Sequence, residues 1–366
     1  MTTAIHRVYN FNPGPAALPF PVLEKIHDEL YNFRGTGMSI MEMTHRSKEF
    51  EVVLENAKNL LTSLFKIPEN YEILFLQGGA RLQFAMLPMN LYQEGKPVDM
   101  IHTGEWSKQA IAELKKLAKY QLAASTEALK FTRLPDPQEI KLNPQASYVH
   151  LVSNNTIYGT QWKTYPDTGA VPLVGDMTSD ILSRPVDVSK FGVIFASAQK
   201  NLGIAGVTIV IIRKDLLARS KENLPIMLNY AEQVKGNSLV NTAPTFPIYV
   251  AGLVLEWLRD QGGISAIQKI NEEKARILYG AIDASTLYQG TVRKQDRSIM
   301  NAVFVLKKGG EELEKAFDHE AIKQGLVGLK GHRSVGGFRA SIYNAMPLEG
   351  VKNLIEFMKD FERRNT

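Results

Sequence analysis

Hydrophobic and polar positions alternate in two different periods along the first two thirds of the chain. Residues 71–87 read as an apolar strand, a Gly-Gly turn and a helix. Further short apolar runs follow at 97–102, 148–153, 171–174, 192–196 and 206–212. Short runs of this kind, bounded by turn residues, predict buried strands. Between and before them the period lengthens. Phe50, Val53, Leu54, Ala57, Leu60, Leu61 and Leu64 recur at helical spacing, and Ser47 stands where an N-cap is needed. A further helix is expected over about 107–118. Glycines and polar side chains gather where the apolar runs end. This alternation predicts an α/β fold: a mostly parallel, doubly wound central sheet flanked by helices.

The ends of the chain differ from this pattern. Residues 8–17 carry Asn-Pro-Gly-Pro and must be extended, because proline lacks a donor and restricts the residue before it. A helix is expected over 21–33, with Val22, Ile26, Leu30 and Phe33 on one face and Gly35 and Gly37 beyond it. After Arg213 the chain is irregular and polar to about residue 240. A second proline-rich extended piece, 241–247, leads into helices at 248–259 and 264–284. Then come a strand at 302–306, a helix at 311–324, a strand at 338–343 and a final helix at 348–363. At 366 residues the chain is long for one core. Two domains are expected: a large one over 16–263, and a small C-terminal α/β domain built from 1–15 and 264–366.

Composition narrows the chemistry. The chain has no cysteine, which excludes disulfides, thiolate metal sites and a thiol nucleophile. No other metal site is expected. The N-terminus lacks the charged start and apolar stretch of a signal peptide, and no apolar run approaches a membrane span. A cytoplasmic protein without a membrane partner is expected. The net charge of +5 suits either a mildly basic surface or a site for anions. No basic block interleaved with aromatics is present, so no nucleic-acid partner is expected.

The candidate chemistry begins with Asp176 at the end of one apolar run and Lys200 just past another. Such a pair can form a pyridoxal-phosphate site. The amine would form a Schiff base with the cofactor's aldehyde, and the carboxylate would keep the pyridine nitrogen protonated. A strand-end aspartate and a surface lysine also occur in any α/β protein. The Gly78-Gly79 turn opens a helix whose free N–H groups could cradle a phosphate, or serves only as a tight connection. Trp106 falls at a strand's carboxyl end, as core filler or as a platform for a flat ring. His45-Arg46 and His332-Arg333 are either solvated loop pairs or anion contacts. Arg339 is either a structural ion-pair partner or a fork for a carboxylate.

Eight segments, in order along nearly the whole chain, carry a resemblance: NPGPA (12–16), SIMEMTHRSKEF (39–50), GGAR (78–81), GEW (104–106), GDMTSD (175–180), SAQKNLG (197–203), NTAPTFPIY (241–249) and GHRSVGGFRASIYNA (331–345). Together they resemble the phosphoserine aminotransferases, in the fold-type I, class V group of pyridoxal-phosphate enzymes. The resemblance implies Lys200 as the Schiff-base lysine and Asp176 as the partner of the ring nitrogen. It implies Trp106 stacked on the ring and Thr156 on its 3-hydroxyl. Ala80, Arg81 and Gln199 would hold the phosphate, joined by Asn241 and Thr242 of a neighbouring subunit, so a homodimer with shared active sites is implied. Arg339 would take the substrate α-carboxylate, and His45, Arg46, His332 and Arg333 its distal anion. The implied substrates are L-glutamate, O-phospho-L-serine, 2-oxoglutarate and 3-phosphonooxypyruvate, in serine biosynthesis, with 4-phosphohydroxy-L-threonine of pyridoxine biosynthesis besides. The chain departs from the family pattern at Ile157-Tyr158, after Thr156, and at Ala80, where glycine is common. A cysteine desulfurase of the same class would need the thiol that this chain lacks.

Overall fold

Seven strands form the central sheet of the computed structural model, which describes residues 7–366. Their order across the sheet is Tyr71–Leu76, Thr208–Arg213, Val193–Ser197, Leu173–Asp176, Val149–Val152, Val98–His102 and Tyr120–Ser125. The pairings are parallel from Val193–Ser197 outward to Tyr120–Ser125. Thr208–Arg213 runs antiparallel to both of its neighbours. The sheet is therefore mostly parallel, as the alternation of periods predicts. The two-residue-period rule is visible within single strands. Ile209 and Ile211 pack with Phe50, Leu54 and Leu61 on one face, and Val210 and Ile212 pack with Phe84 and Leu87 on the other.

The helices on the first face are Lys48–Phe65 and Thr245–Asp260, and those on the second are Gly79–Leu91 and Glu105–Leu114. Ser47 caps Lys48–Phe65, its hydroxyl accepting from the Phe50 N–H at 3.2 Å. The helix expected over 21–33 is shorter: it spans Phe20–Glu29. Beyond it, Gly35 and Gly37 take left-handed φ values of +81° and +80°, and the Asn32 side chain accepts from the Gly37 N–H. Phe33 lies beyond the helix end and is buried with its ring edge-on to Tyr249 of Thr245–Asp260, ring centres 5.4 Å apart. The edge strand Tyr120–Ser125 escapes the sequence pattern because only Ala123 and Ala124 of its six residues are buried.

The C-terminal part has its own apolar core around Phe304, Phe317, Phe338 and Phe357. A three-stranded antiparallel sheet, Tyr288–Gly290, Asn301–Leu306 and Phe338–Ser341, is backed by the helices Ile264–Ala284, Gly310–Lys323 and Leu348–Asn365. The first strand of that sheet is too short for its pattern to stand out. Tyr9–Asn10 pairs with Leu326–Val327, and Phe11 is buried in the same core.

One buried polar side chain gives the large sheet a pH dependence. His150 is fully buried near the rings of Phe84 and Phe195, and neither ring nitrogen has a partner among the described residues. Desolvation pushes its pKa down from 6.5 to about 4. Between those values the unfolded chain takes up a proton that the native ring refuses. Stability conferred by this group is therefore complete above pH 6.5 and is lost as the pH falls toward 4, by about 3 kcal/mol in all. Urea titrations at pH 7 and pH 4.5 are expected to show that decline in the parent protein and a smaller one in His150→Phe.

Candidate active site

Every strand of the parallel set points its carboxyl end at one edge of the sheet, and that edge holds the cavity. Asp176 is the last residue of Leu173–Asp176, and Lys200 follows Val193–Ser197 by three residues. Thr156 comes just after Val149–Val152, and Trp106 lies in the first turn of the helix after Val98–His102. The strand Tyr71–Leu76 delivers Gly78 and Gly79 to the same edge. Open α/β sheets bind ligands at such crevices because loops diverge there and leave space. The space here is about 200 Å³.

Seven residues expected from sequence line this one cavity: Ala80, Arg81, Trp106, Thr156, Asp176, Gln199 and Lys200. The Lys200 ammonium donates to Thr156 Oγ1 at 2.6 Å and lies 5.8 Å from the centre of the Trp106 ring. Burial pushes the Lys200 pKa down to about 8. The negative charge of Asp176 opposes that shift, and Arg339 adds to it. Burial pushes the Asp176 carboxyl up, against the hydrogen bonds of Thr178 and the charge of Lys200. The Thr178 N–H donates to Asp176 Oδ1 at 3.0 Å, an Asx turn that fixes the carboxylate at the strand end. Trp106 is fixed by its own helix start. Ser107 Oγ accepts from the N–H groups of Thr103 and Gly104 and donates to the Gly104 carbonyl. His102 Nδ1 lies 2.9 Å from the same hydroxyl.

The turn before the helix Gly79–Leu91 needs its glycines for conformation. Gly78 and Gly79 sit at φ +87° and +67°, and a Cβ on Gly78 would lie 2.4 Å from a Leu82 methyl. The turn presents the helix N-terminus to the cavity. Several polar atoms around the site are buried without a partner among the described residues: Gln199 Oε1, Trp106 Nε1 and Arg339 Nε. Arg339 is buried, with Nη1 3.4 Å from the Thr156 carbonyl. No carboxylate among the described residues acts on its guanidinium.

The other expected residues divide into two groups. His332 lies within electrostatic reach of Arg339 and Arg333, and both cations and burial lower its pKa. Asn241, Thr242, His45 and Arg46 do not line the cavity, and neither do His332, Arg333 and Arg339. Asn241 Nδ2 donates to Gln77 Oε1, and Gln77 Nε2 donates to the Thr242 carbonyl, so both brace the glycine turn from outside. His45 is buried with Nε2 unpartnered among the described residues, and Arg46 is exposed. Thr245 Oγ1 donates to the Ile40 carbonyl at 3.3 Å, tying these two segments together.

Phe84, Val152, Asn154, Thr178, Ser179 and Ser197 also line the cavity and were not among the residues expected from sequence. Of these, only Thr178 carried a legible signal, as the second residue after a strand-end aspartate. Gly14, where a Cβ would lie 3.1 Å from Lys200 Cγ, was not among the expected residues either. The proline–glycine run is legible in the sequence, but the lysine it packs against is not.

The family described as Aminotransferase class-V matches residues 8–354. A phosphoserine aminotransferase from Desulfosudis oleivorans is 53% identical over 98% of this chain and 99% of its own length. The solved phosphoserine aminotransferase from Bacillus circulans subsp. alkalophilus is 51% identical, covers 98% of this chain and 99% of its own, and superposes with a TM-score of 0.96. A pyridoxal-phosphate-bound phosphoserine aminotransferase from Trichomonas vaginalis is 40% identical, covers 96% and 100%, and gives a TM-score of 0.93.

Proposed function

The chain belongs to the class V aminotransferase family, and on that premise we propose that it moves an amino group between L-glutamate with 3-phosphonooxypyruvate and 2-oxoglutarate with O-phospho-L-serine. The setting is serine biosynthesis in the cytoplasm, with 4-phosphohydroxy-L-threonine of pyridoxine biosynthesis as a further substrate. No helix among the described residues is long and apolar enough to cross a membrane. The cofactor is pyridoxal 5′-phosphate. When bound, it supplies an aldehyde for amines and a ring that accepts electrons from a substrate Cα–H bond.

The residues present fit that group. One cavity offers an amine, a carboxylate, an indole face, a hydroxyl and a glycine turn at a helix N-terminus, with unpartnered polar atoms on Gln199 and Trp106. In the proposed assignment Lys200 attaches the cofactor and then moves the substrate's α-proton, for which an amine pKa near 8 is well placed. Asp176 holds the proton at the ring nitrogen. Its burial makes the carboxylate more basic, and so a better keeper of that proton. Trp106 sets the ring plane and Thr156 meets the 3-hydroxyl. Ala80, Arg81 and Gln199 hold the phosphate.

The observation that carries the substrate reading is Arg339. A buried guanidinium without a carboxylate partner is costly unless a ligand supplies the anion. Arg333, within electrostatic reach of His332, adds a positive charge for a second anion on the same small molecule, and the neutral His332 can gain a proton when that anion arrives. The deciding experiment loads the enzyme with pyridoxal phosphate and follows, by absorbance, its conversion to the pyridoxamine form with a panel of amino acids. Glutamate and phosphoserine are expected to convert it. Conversion by alanine or other neutral amino acids at equal rates would sink the substrate reading.

The placement of Asn241, Thr242, His45 and Arg46 outside their own chain's cavity supports a homodimer in which each chain completes its neighbour's site. Co-expressing Lys200→Ala chains with Arg46→Ala chains is expected to restore about one quarter of parental phosphoserine turnover, because half of randomly formed dimers carry one intact site. A mixture as inactive as its parents would mean that Arg46 serves its own chain. The proposed domains are 16–263 for the cofactor and 1–15 with 264–366 as the smaller partner. Phe11, buried in the C-terminal core, supports that division, and residues 1–6 lie outside the described ones.

A further inference from the structure

The helix Ile264–Ala284 buries Ile267, Asn271, Lys274, Leu278 and Ile282 along one stripe. Lys274 is the odd member, a cation with no solvent exposure at all. Its ammonium donates to three main-chain carbonyls, those of Ile342 at 3.0 Å, Tyr343 at 2.7 Å and Met346 at 3.0 Å. An ammonium has three donors, and these oxygens use all of them. No carboxylate among the described residues acts on it, and burial pushes its pKa down to about 7, while the three carbonyl dipoles favour the charged form. A buried cation without a counter-ion costs stability. What it secures in return is the course of residues 342–346.

That loop bears on Lys200 from two sides. The Asn344 N–H donates to Oδ1 of Asn201, the residue next to Lys200, at 3.0 Å. The Tyr343 hydroxyl donates to the Pro13 carbonyl at 2.7 Å, and Gly14, which follows, is packed against the Lys200 side chain. Asn271, one turn before Lys274, donates to Asn344 Oδ1 at 2.8 Å and so steadies the same loop from the same helix. The strand that feeds the loop, Phe338–Ser341, carries Arg339.

We propose that Lys274 is a positioning residue for Lys200: by gathering three carbonyls it holds residues 342–346 in the conformation that fixes Asn201 and the Pro13–Gly14 segment on either side of the reactive amine. The inference rests on Lys200 being the lysine that attaches the cofactor. The test uses the full-length holoenzyme of the parent, Lys274→Met, Tyr343→Phe and the double variant. Three quantities are read for each: melting temperature, the pH midpoint of the absorbance of the lysine-linked cofactor, and kcat separately from KM.

Lys274→Met is expected to move the midpoint by about half a unit or more and to lower kcat about tenfold, with KM for glutamate little changed. Tyr343→Phe cuts one of the two connections and is expected to move the midpoint less. The double variant is expected to move it no further than Lys274→Met does, since both act through one loop. A Lys274→Met protein that melts earlier but keeps the parental midpoint and kcat would overturn the proposal, leaving Lys274 as scaffold only. Should Lys274→Met fail to fold, Tyr343→Phe decides alone, and a parental midpoint there overturns it. A parent protein without the lysine-linked absorbance would overturn the reading of Lys200 instead.

Discussion

Replacing Lys200 by alanine is expected to lower turnover by a factor of about 10⁴ or more, while the protein still folds and still takes up pyridoxal phosphate. Among the described residues, Lys200 is the only lysine lining the cavity. The hydroxyl it contacts, Thr156 Oγ1, is far too weak a base to carry a proton in its place. The other proposed cofactor contacts do not depend on the amine: the glycine turn, Trp106 and Asp176 are held by their own turns and helix starts. Uptake should therefore survive without covalent attachment. Truncation also removes a desolvated cation, so the melting temperature is not expected to fall by the amount a core deletion would cost. Single-turnover absorbance with glutamate, beside equilibrium dialysis of the cofactor, checks both halves. Turnover near the parental rate would refute the role of Lys200, and loss of uptake together with turnover would make it a structural residue.

Periodicity alone made much of the fold legible. The strands with continuous apolar runs lie in the buried sheet, because strands covered on both faces have no reason to alternate. The helix expected over 264–284 runs over Ile264–Ala284, set off by the Gly262–Gly263 break and a clean amphipathic stripe. What failed to show was marginal in burial or in length. Tyr120–Ser125 sits at the sheet edge with Leu122 exposed, and Tyr288–Gly290 has three residues. The premature end of Phe20–Glu29 reflects competition between an apolar face that would continue the helix and a glycine-rich turn after which Phe33 still packs on Tyr249.

The site was legible to a different depth. Residues that end strands could be placed because strand ends are punctuated by turn chemistry, and Asp176, Thr156 and Trp106 all follow that rule. Contacts between segments far apart in sequence left no such mark. Gly14 against Lys200, Arg339 against the Thr156 carbonyl, and Lys274 beneath residues 342–346 are products of tertiary packing. Lys274 in particular sits in an ordinary amphipathic pattern, where a lysine reads as solvated. Only the packed structure shows it pointing inward.

The second large effect is expected at Asp176. Asp176→Asn keeps the size of the side chain and removes its charge, and the exchange of the substrate α-proton is expected to slow by a factor of about 10² to 10³. The reasoning is electrostatic. Asp176 is buried, so its charge acts through little solvent, and the Thr178 N–H holds Oδ1 in a fixed direction. An amide there offers no negative charge to retain a proton at the ring nitrogen, and the electrons left by α-proton removal lose their sink. The same substitution has a second readout. The Asp176 charge raises the Lys200 pKa against burial, so without it the Lys200 amine is expected to titrate below its present value of about 8. Deuterium washout from labelled glutamate, followed by proton NMR, measures the first effect. The pH dependence of an amine-reactive probe on cofactor-free protein measures the second. Exchange at the parental rate would remove Asp176 from the chemistry. A slowed exchange with an unmoved Lys200 would separate the proposed action of Asp176 on the ring from its action on the lysine.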